Sequence, residues 1–330
     1  MARKWITGID IGHFSAKAVV LAYEGTDITL VNHLELHDCD AIFTDPHTLK
    51  HQETVKKLKN LGKVAPIFRK NAAIALPDST VMSKVVTLEK GLSDLEQEYA
   101  IHQLMGHQTP YPNQALAIDF IKVSDTRESS SEAFRVQVTR QSIVDKWSAV
   151  TARIGLRPCL MDTQLSALRG LQSRLVLRHS EFRDWAVLEF GATHVSLVPP
   201  LSLSADQGKT WSTASHQYQL SSSATEFKSE AERIFASVAS KVSSQLQLYR
   251  SMLGDNAAPG IIVTGGHAHD DSVCDMVSRY TGKAAQCFDA RQGVLIESQG
   301  IGMVSATFAC AIGIALNGVH WLREHGHGLR

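Results

Sequence analysis

Two stretches of the chain pair an acid with a glycine two residues later, at the end of an apolar run. They are Gly8-Ile9-Asp10-Ile11-Gly12-His13-Phe14-Ser15-Ala16-Lys17 and Leu188-Glu189-Phe190-Gly191-Ala192-Thr193-His194. Gly12 permits close approach to the backbone, turn amides near Ser15 can cradle phosphate oxygens, and Asp10 can hold a hydrated magnesium ion facing them. Alone, Ile9-Asp10-Ile11-Gly12 is equally a plain β-turn. The second copy favours two related lobes closing on one phosphate-bearing ligand, whose charge such a site must neutralise. A third element, Ile261-Ile262-Val263-Thr264-Gly265-Gly266-His267-Ala268, is a strand ending in paired glycines, a bend against which a base or ribose can lie. By itself it reads more simply as a strand-to-helix turn.

The elements that must position these residues follow from periodicity. Trp5 to Ile11, Ser15 to Tyr23 and Ile28 to Leu36 alternate as an antiparallel meander. A polar helix spans about His47 to Leu61, and Asn71 to Leu76 and Val81 to Leu88 are strand-like around Pro77-Asp78. Ser93-Asp94-Leu95-Glu96 has capping-box spacing for a helix reaching about His107. Ala115 to Val123 and Ala133 to Thr139 suit a hairpin with one solvated face. A helix with Ile143, Trp147, Val150 and Ile154 on one side ends at Gly155, then strand Cys159 to Met161 and helix Gln164 to Arg178 lead into a second meander, Trp185 to Phe190 and Val195 to Val198. Residues 201 to 224 are serine-rich and read as a loop or weak strand pair. From Glu226 a long helix carries Phe227, Ala231, Ile234, Val238, Val242, Leu246, Tyr249 and Leu253 as one apolar stripe. Helices over about Asp271 to Tyr280 and Val304 to Asn317 complete the pattern.

Composition limits the function classes. Lysine plus arginine and aspartate plus glutamate number 33 each in 330 residues, so no net field draws the chain to nucleic acid or anionic lipid. Five cysteines, odd in number and without a Cys-x-x-Cys pair, argue against a disulfide framework and a structural zinc site, and fit a reducing cytosol. No apolar stretch approaches the ~20 residues that span a bilayer, so a cytoplasmic protein that is neither secreted nor membrane-spanning is expected. His102 with His107, His267 with His269, and His325 with His327 read as surface histidines rather than metal ligands. Lys56-Lys57-Leu58-Lys59 reads as a solvated helix face.

The order and spacing of the two acid-glycine turns and the paired glycines resemble the phosphate-one, phosphate-two and adenosine motifs of the actin, Hsp70 and sugar kinase superfamily. A closer resemblance is to the PilM family of type IV pilus assembly. It rests on Ala75-Leu76-Pro77-Asp78-Ser79, Ser83-Lys84-Val85-Val86, Gly91-Leu92-Ser93, Pro110-Tyr111-Pro112, Ile118-Asp119-Phe120, Gly155-Leu156-Arg157-Pro158 to Asp162 with Ala167-Leu168, and Ala311-Ile312-Gly313-Ile314-Ala315-Leu316. The resemblance implies an α/β, actin-like ATPase fold: two ribonuclease-H-like lobes with an inserted small α+β subdomain arranged as in the cell-division protein FtsA. It divides the chain into a first lobe over 1–70 and 141–184, an insert over 71–140, a second lobe with a reduced upper part over 185–303, and a returning helix over 304–330. It also implies ATP with magnesium. The nucleotide-contacting set would be Asp10, Gly12, His13, Ser15, Lys17, Gly191, Ala192, Thr193, Gly265, Gly266, His267 and Gly313. Asp10 and Glu189 would hold magnesium through water, and Asp162 or Glu189 would position an attacking water. The implied partner is the short cytoplasmic tail of the inner-membrane protein PilN, held in a groove between the first lobe and the insert, with other pilus assembly components at the inner membrane.

The sequence departs from that family at chosen points. Glu189 stands where aspartate is usual and His194 where threonine is usual, which weighs against hydrolysis more than against binding. Only 27 residues (199–225) separate Val198 from Glu226, where relatives carry a fuller upper subdomain, so a weak grip on the nucleotide is expected. A scaffold with at most weak ATPase activity is therefore the leading reading. A small-molecule kinase of the sugar kinase branch is the alternative, without a recognisable catalytic base beside a substrate pocket. A filament-forming actin relative is the third.

Overall fold

The computed structural model describes residues 3–37, 39, 43–45, 48–49, 51–66, 68, 70–111, 114–124, 130–213, 224–254, 257–268, 271–290, 296–297 and 304–325. Residues 214–223 of the serine-rich stretch, His269, His327 and the side chain of Phe227 lie outside that description. In chain order the elements are β1 (Lys4–Ile11), β2 (Ser15–Glu24), β3 (Asp27–His37), β4 (Phe43–Asp45), β5 (Thr48–Leu49), α1 (His51–Leu58), β6 (Asn71–Leu76), β7 (Met82–Glu89), α2 (Asp94–Gln108), β8 (Leu116–Ser124) and β9 (Ser131–Arg140). They continue with α3 (Gln141–Arg153), β10 (Arg157–Thr163), α4 (Gln164–Val176), β11 (Ala186–Phe190), β12 (His194–Val198), β13 (Lys209–Ser212), α5 (Ala224–Leu253), β14 (Gly260–Thr264), α6 (Asp271–Thr281), β15 (Ala284–Cys287), β16 (Ile296–Glu297) and α7 (Ala309–His325).

Two sheets repeat one topology. The first runs β10-β6-β1-β2-β3-β16 and the second β13-β12-β11-β14-β15. In each, an antiparallel meander (β1 to β3, β11 to β13) is extended on the side of its first strand by two parallel strands. The parallel additions are buried on both faces, which explains the uninterrupted apolar runs of β6 and β14. The first sheet sorts its residues by strand alternation. Val19, Leu21 and Tyr23 face α4, α7 and the second sheet in one apolar core, while Ala16, Ala18 and Val20 face Trp147, Val150 and Ile154 of α3 in another. The same core that takes Ile6 and Leu21 also takes Leu188, Val195, Val238 and Val263, so the two sheets are joined by packed side chains.

The insert is narrower than the sequence suggests. Asn71–Leu76 lies between β1 and β10 in the first sheet, so the expected 71–140 insert begins instead after Leu76. Its sheet, β7-β9-β8, packs Val86, Leu88, Phe134, Val136 and Val138 against Ile101 and Met105 of α2. The capping box forms as the spacing requires: the Ser93 hydroxyl accepts from the Glu96 amide, and the Ser93 amide donates to the Glu96 carboxylate at 2.8 Å.

Two further expectations change. Cys274 and Cys287 are disulfide-bonded with Cα atoms 6.2 Å apart, because the β14-α6-β15 crossover brings the first turn of α6 beside the end of β15. Spacing along the chain does not reveal that juxtaposition. The last helix starts at Ala309, after a short turn of 3₁₀ helix over Ala306–Phe308, and runs past Asn317-Gly318 to His325. Gly318 is a packing residue rather than a stop, since a Cβ there would run into the Ile6 side chain.

Close packing by glycine recurs along α7. A Cβ on Gly313 would collide with the backbone of Ala167 in α4, whereas a Cβ on Gly266 meets nothing within 4 Å. Gly313→Ala is therefore expected to cost roughly 1–3 kcal/mol by forcing two helices apart. Gly266→Ala should stay within about 0.5 kcal/mol of the parent. Urea unfolding of both variants checks this, and equal stabilities would contradict the packing described.

Candidate nucleotide cleft and partner groove

Both acid-glycine turns close in the same way. The Gly12 amide donates to the Ser15 carbonyl at 3.0 Å, and the Gly191 amide donates to the His194 carbonyl at 3.0 Å. Asp10 and Glu189 thus occupy equivalent strand ends in two repeated sheets. The turns meet across the cleft, where His13 Nδ1 is 3.5 Å from Thr193 Oγ1.

The acids are buried, Asp10 being 3% and Glu189 6% exposed, and they converge with Cys310 at the start of α7 so that one donor atom from each lies within 4.8 Å of the others. Their charge is balanced from within the chain. Lys17, paired with Asp10 across β1 and β2, brings Nζ to 3.8 Å from Asp10 Oδ2, and Gln164 Nε2 donates to Oδ1 at 3.1 Å. His194 Nε2 lies 3.6 Å from Glu189 Oε2. Burial pushes the Asp10 carboxyl above its ordinary value; Lys17 opposes this and Glu189 reinforces it. Burial works against a charged His194, but its contact with Glu189 together with the charges of Asp78 and Asp10 lifts the imidazole above the usual range. Burial, then the nearby carboxylates, hold the Cys310 thiol well above normal, so it stays protonated.

Of the residues singled out from sequence, Asp10, Lys17, Glu189, His13 and Thr193 come together here, with Gly12, Ser15, Gly191 and Ala192 in the turns that carry them. Gly265 has a left-handed backbone (φ +94°), and a Cβ there would come within 2.6 Å of the Phe190 carbonyl oxygen. Its amide donates to the Ala306 carbonyl at 3.1 Å. Gly266 has open space beside its Cα. His267 is buried, its ring stacked on Phe190 at 4.2 Å, and so supports the second turn from beneath. Gly313 sits at the crossing of α7 and α4 instead of at an opening.

Asp162 also stands elsewhere. It is in register with Ala75 and through it with Asp10, two strand spacings or roughly 10 Å away along the sheet. It accepts from the Thr163 amide at 2.7 Å, Ser166 Oγ at 2.5 Å and Asn317 Nδ2 at 3.3 Å. These bonds tie β10, α4 and α7 together. Gln164, Cys310 and Asp78 were not read from the sequence as site residues. A polar side chain at the first position of α4 and an acid just after β6 were the available signals.

A second concavity, of about 320 Å³, lies between the insert sheet, the β10–α4 junction and the 205–208 segment. Alternation along the sheet sends Ser83, Asp119, Ile121, Arg135 and Gln137 to this side, opposite Met161, Asp162 and Leu165. On that face Val85 and Ile121, exposed to 48% and 57%, flank Arg135 across the three strands. Arg135 reaches the second lobe, with Nε 2.6 Å from Asp206 Oδ1 and one terminal nitrogen donating to Ser204 Oγ at 3.1 Å. Asp78 joins three bodies: at the start of the insert, it accepts from the Leu165 amide of α4 at 3.0 Å and from Thr210 Oγ1 of β13 at 3.1 Å.

Two repeated lobes with paired acid-glycine turns at one cleft define an actin-like ATPase fold. Solved structures similar to the chain carry that fold. The PilM-PilN type IV pilus biogenesis complex is 18% identical, with 95% of this chain and 98% of that chain covered and a TM-score of 0.72. MreB5 of Spiroplasma citri bound to ADP is 9% identical over 98% and 99% of the two chains, with a TM-score of 0.50. The cytoplasmic domain of EpsL, an inner-membrane component of the type II secretion system of Vibrio cholerae, is 8% identical over 95% of each, with a TM-score of 0.50. The sequence matches the family described as type IV pilus assembly protein PilM over residues 8–197, and the chain belongs to that family. Among the described residues no helix is long and apolar enough to cross a membrane.

Burial raises the Asp78 carboxyl from 3.8 to about 6, with the Leu165 amide as the main opposing influence. An acid whose folded value exceeds its unfolded one favours the native state most below the unfolded value, and loses that advantage as pH rises through the folded one. Asp78→Asn keeps an acceptor for Leu165 and removes the titration. Relative to the parent, the variant should gain up to roughly 2–3 kcal/mol between pH 4 and pH 7. Chemical denaturation across that range measures it, and a pH-independent difference would exclude a buried ionisable Asp78.

Proposed function

We propose that this chain is a cytoplasmic scaffold of the type IV pilus assembly platform, holding the cytoplasmic tail of a PilN-like inner-membrane protein in the groove between first lobe and insert. The observation that carries this reading is the concavity of about 320 Å³ between insert and first lobe, with exposed Ile121 on its wall, in a chain of the PilM family that is structurally similar to a PilM-PilN complex. An extended tail gains backbone hydrogen bonds from a strand edge and side-chain burial from the facing wall, here Met161 and Leu165. The chain would meet the membrane through this partner. Other assembly components would gather on the same scaffold.

ATP with magnesium is the proposed occupant of the cleft, and the residues present fit it. Asp10 and Glu189 offer buried carboxylate oxygens close together, Lys17 stands beside Asp10, and Gly266 leaves space for a flat group. Magnesium, when bound, would neutralise phosphate charge at those carboxylates. Lys17 and the Gly12 and Gly191 turns would orient the phosphates, while Gly265 and Gly266 would bear the adenosine. His13 and Thr193 would part to admit them. Glu189 is engaged with His194, which favours binding without efficient turnover.

Calorimetry with the tail of the PilN-like protein from the same pilus system should give saturable 1:1 binding. Ile121→Asp, at an exposed position, should weaken it by at least about tenfold with an unchanged melting temperature, because a charge would be buried against the tail. No binding by the parent chain overturns the scaffold reading. For the cleft, millimolar ATP with magnesium should raise the melting temperature of the parent, as any ligand of the folded state does. That rise should vanish in Asp10→Asn, and an equal rise in both proteins would place ATP elsewhere.

A further inference from the structure

Among the described residues the groove lining is rich in acids. Its lining holds Asp78, Asp119, Asp162 and Asp206 against Arg135 as the one cation. Sheet alternation keeps the insert's neighbouring lysines out: Lys84 and Lys122 lie on the opposite face, donating to Gln108 Oε1 at 2.7 Å and Glu132 Oε1 at 2.8 Å. Arg135 is committed to Asp206 by two contacts, at 2.6 and 2.9 Å. The acceptor bonds of Asp78 and Asp162 come from neutral amides and hydroxyls. Asp119 is exposed and accepts from its neighbour's amide, that of Phe120, at 2.9 Å. Its charge acts across the groove, being among the influences that raise the Asp162 carboxyl after burial, the largest.

We propose that the groove selects a tail bearing a lysine or arginine, whose cationic head lies between Asp119 of the insert and Asp162 of the first lobe while aliphatic neighbours cover Ile121 and Met161. The proposal rests on the reading of the groove as the tail site and adds what distinguishes the tail from other apolar segments. A long basic side chain suits such a place because its methylenes can lie along apolar surface while its head reaches the acids. A bare divalent ion suits it less. Among the described residues the three-donor grouping with metal-like spacing is Asp10, Glu189 and Cys310, away from this pair. Opposite charges across an interface act on encounter rate and partner choice as well as affinity.

The test uses the full chain and two fluorescent peptides: the cytoplasmic tail of the PilN-like protein from the same system, and the same peptide with every lysine and arginine replaced by glutamine. Anisotropy titrations should show the neutralised peptide binding about tenfold more weakly, a gap that narrows in 0.5 M salt as charges are screened. Asp119→Asn, an exposed change that leaves the melting temperature unaltered, should weaken the native tail about threefold or more and leave the neutralised peptide unaffected. Equal affinity for both peptides, equal loss on both in Asp119→Asn, or tight binding of a native tail without lysine or arginine overturns the charge selection while leaving the groove intact. Failure of both peptides to bind overturns the groove reading and this one with it.

Discussion

Helix α7 lies so close to β1 and α4 that only glycine fits at several points of the contact. A Cβ on Gly8 would meet the Ala311 carbonyl, one on Gly313 the Ala167 backbone, and one on Gly170 the Asn317 side chain. That approach sets the position of Cys310 between the two acid-glycine turns and lets Asn317 reach Asp162. It also merges the apolar faces of both sheets into one core. Arg169 of α4 strengthens the junction by donating to four carbonyls of the loop after β12, those of Pro199, Pro200, Leu201 and Leu203, at 2.6 to 3.1 Å. Packed interiors of this density shift between discrete arrangements rather than deform smoothly.

Within the cleft the same closeness creates an electrostatic problem. Two buried carboxylates at equivalent strand ends repel each other, and desolvation adds to the cost. The chain answers with Lys17, Gln164 and His194, each on an element that begins at the cleft: β2, α4 and β12. The two carboxylates are thus each met by polar or basic side chains of the chain itself.

The repeated meanders were readable because acid, glycine and alternating apolar residues are local signals, as were Ser93 with Glu96 and the stripe Ile143, Trp147, Val150 and Ile154. What sequence reading missed depends on residues far apart in the chain. Arg135 and Asp206 are 71 positions apart, Asp78 and Thr210 are 132 apart, and no periodicity joins them. Asn71–Leu76 looked like part of the insert because it precedes the insert's own strand by one turn, yet its two-sided burial belongs to a parallel sheet. Gly313 was expected to contact a nucleotide, whereas here it marks where α7 touches the backbone of α4. Asp162 misled because an acid at a strand end looks the same whether it faces a cleft or caps the following helix.

Asp78 answers to the insert, to α4 and to β13 at once, and Arg135 fastens the insert to the same side of the second lobe through Asp206. The groove is therefore three-walled, and one wall belongs to the second lobe. Any shift of the second lobe against the insert and α4 would have to stretch or break these two polar links. The width of the groove is therefore tied to where the second lobe sits.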